Sequence, residues 1–168
     1  MKENLDSIYN LYFHDIYRFL LSLCHNHHTA EDLVQETFFR AHLYIENYQE
    51  GNIKAWLYTV AHNAFIDHYR KNKRVDIKEQ GFFTALFNKQ NSTEETALIN
   101  DEIKQIIDSL EGLPKKHKTA ILLHDFHGLS YREAAEVMQV SLGHFKILLF
   151  RGRQALRNRK EQENERRF

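Results

Sequence analysis

Glycine and proline are nearly missing from this sequence. Six glycines and one proline are spread over 168 residues. Strand-rich folds punctuate themselves with turns built on those two residues, so a sheet architecture has little here to turn on. Apolar residues instead recur three and four apart, the period of a helix with one buried face. Four segments fit. The first, about Asn4 to Cys24, carries Leu5, Ile8, Tyr12, Ile16, Phe19, Leu20 and Leu23. The second opens at Thr29, with Asp32 three residues on in a capping pattern, and buries Leu33, Val34, Thr37, Phe38, Ala41 and Ile45. A third, about Lys54 to Asn72, has Leu57, Val60, Ala61, Ala64 and Phe65, and a fourth has Ile99, Ile103, Ile106, Ile107 and Leu110. The prediction is an all-α chain.

The composition shifts twice along the chain. Residues 70–74 read Arg-Lys-Asn-Lys-Arg, and after them periodicity fades while Gly81, Asn88, Asn91, Ser92 and Thr93 gather. This predicts two small helical domains, 1–75 and 98–160, joined by a flexible linker at 76–97 that holds one apolar island, Phe82 to Phe87. The polar tail, 161–168, is expected to fray. Each half lies near the lower size limit for a self-sufficient core. Cys24 is the one cysteine, which excludes an internal disulfide and any multi-cysteine zinc site and suits a reducing compartment. The start, Met1-Lys2-Glu3-Asn4, does not read as a signal peptide. The apolar run Phe19 to Cys24 falls far short of the ~20 residues a membrane span needs. A cytoplasmic protein without direct membrane insertion is expected.

Lys+Arg and Asp+Glu both number 23, so the chain is not a supercharged nucleic-acid binder. The charge is uneven, however. Lys146, Arg151, Arg153, Arg157, Arg159 and Lys160 form a run without an acid, either a solvated helix face or a phosphate-contacting helix. The preceding stretch, Ser130 to Phe150, has the arrangement of a helix-turn-helix. Ser130 with Glu133 forms a capping box before a short helix Tyr131 to Met138, in which Ala134 and Met138 face inward and Ala135 permits a close crossing. Val140 plugs the turn. Ser141 caps a second helix that buries Phe145, Leu148 and Leu149, the spacing that docking one helix across another demands. Gln139 stands where the turn usually takes glycine. A generic helical hairpin has the same periodicity. The outward face then carries His144, Lys146, Ile147, Phe150 and Arg151. Ile147 and Phe150 either pack on another part of the chain or meet thymine methyls in a major groove, where Lys146 and Arg151 reach phosphates or guanine edges.

Enzymatic readings find little. Cys24, His25, His27 and His28 sit together at a helix end, but adjacent ligands on a helix diverge. His124-Asp125 resembles a metal-dependent HD phosphohydrolase pair, yet no later aspartate exists to complete it. There is no activated nucleophile and no phosphate-cradling glycine loop. No catalytic residue, metal or cofactor is predicted.

Three blocks resemble the extracytoplasmic-function (ECF) group of bacterial sigma factors, the minimal members of the sigma-70 family. The first is Ala30-Glu31-Asp32-Leu33-Val34-Gln35-Glu36-Thr37-Phe38-Phe39-Arg40-Ala41. The second is Ala55-Trp56-Leu57-Tyr58-Thr59-Val60-Ala61-His62-Asn63-Ala64-Phe65-Ile66-Asp67. The third is the helix-turn-helix, with Leu113-Pro114 before it and Phe150-Arg151-Gly152-Arg153 after it. The resemblance covers most of residues 5–157 and implies a transcription initiation factor that is not itself an enzyme. It implies that Glu31, Asp32, Gln35, Glu36 and Arg40 dock on the β′ clamp helices of core RNA polymerase, with the β flap as a further contact. It implies that Asn63, with Asn47 and Tyr48 of the loop before it, holds a flipped base of the −10 element while Arg70, Lys71, Lys73 and Arg74 hold duplex phosphates. His62 replaces the family's usual Arg. Trp56 reads as core rather than as a DNA-stacking ring. Lys146, Ile147 and Phe150, with His144, Arg151 and Arg153 around them, correspond to the −35 contacts, and Ile147 departs from the usual small polar residue. An anti-sigma factor, often membrane-embedded, is the expected regulator. The alternative is a helix-turn-helix regulator acting alone, which leaves the first two blocks without a role.

Overall fold

The computed structural model describes residues 4–48, 51–72 and 94–167, the side chains of 94–100 excepted. The expected contacts Lys73 and Arg74 and the apolar island Phe82 to Phe87 lie outside the described residues. Every regular element among the described residues is helical. Helix α1 spans Leu5–Cys24, α2 His27–Tyr44, α3 Ile53–Asn72, α4 Glu94–Leu110, α5 Lys115–Ile121, α6 Tyr131–Met138 and α7 Leu142–Arg166. A 3₁₀ turn, Ile45–Asn47, follows α2, and a π turn, Leu122–Phe126, continues α5. The chain divides into two compact units, Met1–Lys104 and Gln105–Phe168.

In the first unit, α1, α2 and α3 pack against one another. Ile16, Phe19 and Leu20 of α1, Leu33, Val34 and Phe38 of α2, and Leu57 and Tyr58 of α3 are buried. Each such side chain contributes about 1.5–3 kcal/mol on leaving water. Ala30, Ala41, Ala61 and Ala64 are also buried and let the helix backbones approach. The Phe19 and Tyr58 rings meet at 5.1 Å. The buried Thr37 hydroxyl donates to the Leu33 carbonyl at 2.6 Å, so this polar group inside the core is satisfied.

The start of α2 differs from the sequence expectation. Helix α2 begins two residues earlier than Thr29. Asn26 is its cap, and its side chain accepts from the Thr29 N–H at 3.0 Å. Asparagine caps at least as well as threonine. His25 has already stopped α1 in a left-handed conformation, φ 56°, which leaves Asn26 as the first residue able to start again.

In the second unit, α5, α6 and α7 close around Ile121, Leu123, Leu129, Val137, Phe145 and Leu149, all buried. Val137, not Met138, is the fully buried member of the last turn of α6. Met138 is only half-buried, because the chain leaves the interface there. At Gly152 α7 comes close to α5. A β-carbon on it would stand 2.8 Å from Ile121 Cδ1 and 3.4 Å from His117 Cβ.

Helix α4 takes in residues 94–97 of the expected linker, and its first residues, Glu94 and Glu95, suit a helix N-terminus. Ile103 and Leu110 are buried and Ile106 and Ile107 half-buried. Helix α7 continues to Arg166 through the segment expected to fray. Arg157 with Glu161 and Arg159 with Glu163 stand four apart there, the spacing of helix-stabilising pairs.

Candidate functional site

On α2 the apolar stripe turns inward, so Glu31, Asp32 and Gln35 are exposed and Glu36 and Arg40 half-buried. These five share one helix, but Glu31, Glu36 and Arg40 are also engaged within the fold. Arg40 Nε donates to Glu36 Oε1 at 2.7 Å, and its Nη1 donates to Asp67 Oδ2 on α3 at 3.0 Å. The Glu36 hydrogen bond first, and Asp67 beside it, hold the guanidinium still more firmly protonated. Arg40 thus clamps α2 to α3. Glu31 pairs with His27 Nε2 at 3.2 Å, and His27 Nδ1 meets the Tyr17 hydroxyl. Cys24 donates to the Asn26 carbonyl at 3.3 Å. Among the described residues no group of three or more His, Cys, Asp or Glu is placed to hold a metal. The same helix exposes Phe39 (59%), Leu43 (53%) and Tyr44 (58%). The sequence reading passed over these residues, although Phe39 and Leu43 stand four apart, off the buried stripe.

On α3, Trp56, Asn63 and Arg70 are spaced by seven residues, two turns, and so share one face. They span about 21 Å at 1.5 Å per residue, roughly the length of six stacked nucleotides. Trp56 is half-buried rather than core, and the Tyr48 ring lies tilted against it at 5.0 Å. Asn63 and His62 are half-buried, while Asn47, Arg70 and Lys71 are exposed. Asn52 caps this helix, its side chain accepting from Lys54 N at 3.0 Å. Arg70 and Lys71 occupy the last turn, where the helix dipole favours cations. The structure therefore sets Trp56, Asn63, Arg70 and Lys71 along one helix, with the Tyr48 ring of the preceding loop against Trp56.

In the second unit the capping box is complete. Ser130 Oγ accepts from Glu133 N at 3.1 Å, and Glu133 Oε2 accepts from Ser130 N at 3.3 Å. Gln139 takes the left-handed conformation, φ 56°, that glycine usually supplies. Val140 N–H then donates to the Ala135 carbonyl at 3.0 Å and Gln139 N–H to Glu136 at 3.1 Å, the paired bonds of a Schellman stop. Ser141 Oγ accepts from His144 N at 3.1 Å and starts α7. With Phe145, Leu148 and Leu149 buried, α7 exposes His144, Lys146, Ile147 (49%), Phe150 (66%) and Arg151. A groove of about 470 Å³ runs beside them, lined by Tyr131, Lys146, Phe150, Arg153 and Arg157.

Arg153 differs from its neighbours. It is exposed, but its Nε donates to Asp125 Oδ2 at 3.1 Å and an Nη atom donates to Asp125 Oδ1. His124 Nδ1 donates to the Leu129 carbonyl at 2.7 Å, and its ring packs on Tyr131 at 4.6 Å. The His124-Asp125 pair is thus taken up in holding the turn. Neither Asp67 nor Asp125 was legible as a partner, because each lies 27 or 28 residues from its arginine.

Comparison with known proteins follows the same division. The Sigma-70 region 2 family model matches residues 8–75 and the Sigma-70 region 4 model matches residues 103–156. The chain is 41% identical over 154 residues to the ECF RNA polymerase sigma factor SigM of Bacillus subtilis, covering 91% of this chain and 93% of that one. It is 31% identical over 159 residues to SigW of the same organism, covering 89% and 85%. A solved structure of the sigma factor RpoE in complex with the anti-sigma factor NepR from Bartonella quintana aligns with a TM-score of 0.70 and 26% identity. That alignment covers 91% of this chain and 94% of that one. No helix among the described residues is long and apolar enough to cross a membrane. The chain belongs to the ECF group of sigma-70 family RNA polymerase sigma factors.

Proposed function

We propose that this chain binds core RNA polymerase and directs it to promoters by reading −35 and −10 elements and helping to open the DNA. The observation that carries the reading is the exposed face of α7. Ile147 and Phe150 stand in water between Lys146 and Arg151, on the second helix of a helix-turn-helix whose other face is buried. Apolar side chains there suit thymine methyls, and the cations suit phosphates or guanine edges. His144 and Lys146 lie nearest the helix N-terminus, the end such helices turn to base edges.

The α3 stripe serves the −10 element. An unstacked base needs a platform and a polar pocket, and a stacked base contributes about 1–3 kcal/mol. Tyr48 on Trp56 supplies the rings, Asn63 and Asn47 the polar groups. Arg70 and Lys71, with Lys73 and Arg74 beyond them, hold upstream phosphates. Glu31, Asp32, Gln35 and Glu36 face the β′ clamp helices, where complementary charge sets orientation and on-rate more than affinity. Arg40 keeps that face in place. The bond-making chemistry belongs to the polymerase, and the setting is the cytoplasm. An anti-sigma factor anchored in the membrane is the proposed regulator. The likeness to a sigma factor solved with its anti-sigma factor supports an anti-sigma partner.

Run-off transcription tests the reading. Purified core enzyme with this protein starts at discrete sites, and core alone does not. A lone helix-turn-helix regulator would instead footprint DNA as a salt-resistant dimer without polymerase.

A further inference from the structure

One cation of the basic run is already committed. Arg153 holds Asp125 through two nitrogens at once, Nε to Oδ2 at 3.1 Å and Nη2 to Oδ1. Tyr131 lines the same groove as this guanidinium. Asp125 sits in the π turn that ends α5, Tyr131 opens α6, and Arg153 lies on α7 one turn past Phe150. A single planar group therefore ties α7 to the π turn that ends α5. Ion pairs this exposed contribute little to stability as a rule. What a two-bond fork does supply is geometry, since two parallel bonds fix rotation as well as distance. Asp125 lies within the π turn, and such turns are frequent at functional sites. Lys146 and Arg157, which line the same groove, make no ion pair among the described residues.

We propose that Arg153 is a positioning residue rather than a DNA contact. The Asp125–Arg153 lock sets the angle at which α7 presents Lys146, Ile147 and Phe150 to the −35 element. The proposal rests on the −35 reading above. It differs from a phosphate contact in sign. If Arg153 bound phosphate, Asp125 would compete with DNA, and removing Asp125 would tighten binding. If the pair is a lock, removing either member loosens selectivity.

The experiment uses holoenzyme, core polymerase with the full chain. The probe is a duplex that the holoenzyme selects from a pool randomised over the −35 hexamer, compared with the same duplex scrambled there. The expected result is that Arg153→Lys and Asp125→Asn each lower the preference for the selected duplex by about five- to tenfold, in the range of one lost base-edge contact. Combining them adds little, as for residues of one network. The salt dependence of binding stays that of the wild type. Loss of folded protein would lower occupancy on both duplexes alike and leave their ratio unchanged, so the ratio reports positioning. Arg153→Lys is the decisive variant, because it keeps the charge and loses the fork. Wild-type selectivity in Arg153→Lys overturns the lock. So does tighter binding by Asp125→Asn, or a salt slope about one unit shallower in Arg153→Ala. A wild-type holoenzyme that selects nothing at −35 overturns the −35 reading itself.

Discussion

His25 and Gln139 both hold φ near 56°, a region most L residues avoid because Cβ crowds the following carbonyl. Each ends a helix where the next must begin within a few residues, and neither is the glycine that would fit without strain. Gln139 was legible as an irregularity, since the turn between two capped helices demands a left-handed residue. His25 was not, because nothing in the Cys-His-Asn-His-His stretch marks which residue turns. Gln139→Gly should stabilise the second unit by about 0.5–1 kcal/mol, the relieved strain less the extra freedom of glycine in the unfolded chain. Urea unfolding would measure it. Cys24 makes a different prediction. Burial pushes its thiol up to about 11 from an ordinary value near 9, outweighing the opposing hydrogen bonds. At pH 8 the neutral thiol should react with iodoacetamide far more slowly in the folded protein than in denaturant. The linked stability is fully present below about pH 9 and is lost as pH rises through 11.

Helices that announce themselves do so through contacts three or four residues apart. The Ser130–Glu133 box, the Ser141 cap and the inward positions Phe145, Leu148 and Leu149 were readable for that reason. So was the stripe of α2 that carries Leu33, Val34, Thr37, Phe38 and Ala41. The π turn, the Arg40–Asp67 clamp and the Arg153–Asp125 fork were not, because they depend on which helices lie side by side. The Thr29–Asp32 spacing marks a helix start in the sequence, whereas in the fold the stop at His25 makes Asn26 the cap. Ser130→Ala and Ser141→Ala should each cost about 1 kcal/mol. Gly152→Ala should cost about 1–3 kcal/mol, since the new methyl falls 2.8 Å from Ile121 Cδ1. Thermal melting of the full chain would rank the three, with Gly152→Ala the lowest.

A chain with as many acids as bases has little general attraction for DNA, so specificity must come with the polymerase. Holoenzyme should bind a selected promoter at physiological salt at least a hundredfold more tightly than the isolated chain does, as a gel-shift titration would report. Within the holoenzyme, Ile147→Ser should change which −35 sequences are recovered from a randomised pool while leaving start-site spacing intact. The two-part plan of the molecule was legible because composition changes between its parts. The exposed face of α2 was legible in its charges but not in Phe39, Leu43 and Tyr44, whose exposure depends on what does not pack over the helix. At residue 152 a lone hydrogen sets the gap between two crossing rods. Anything larger at that spot meets the far end of the Ile121 side chain first, so drift there would show itself as a reading module that comes apart at a lower temperature.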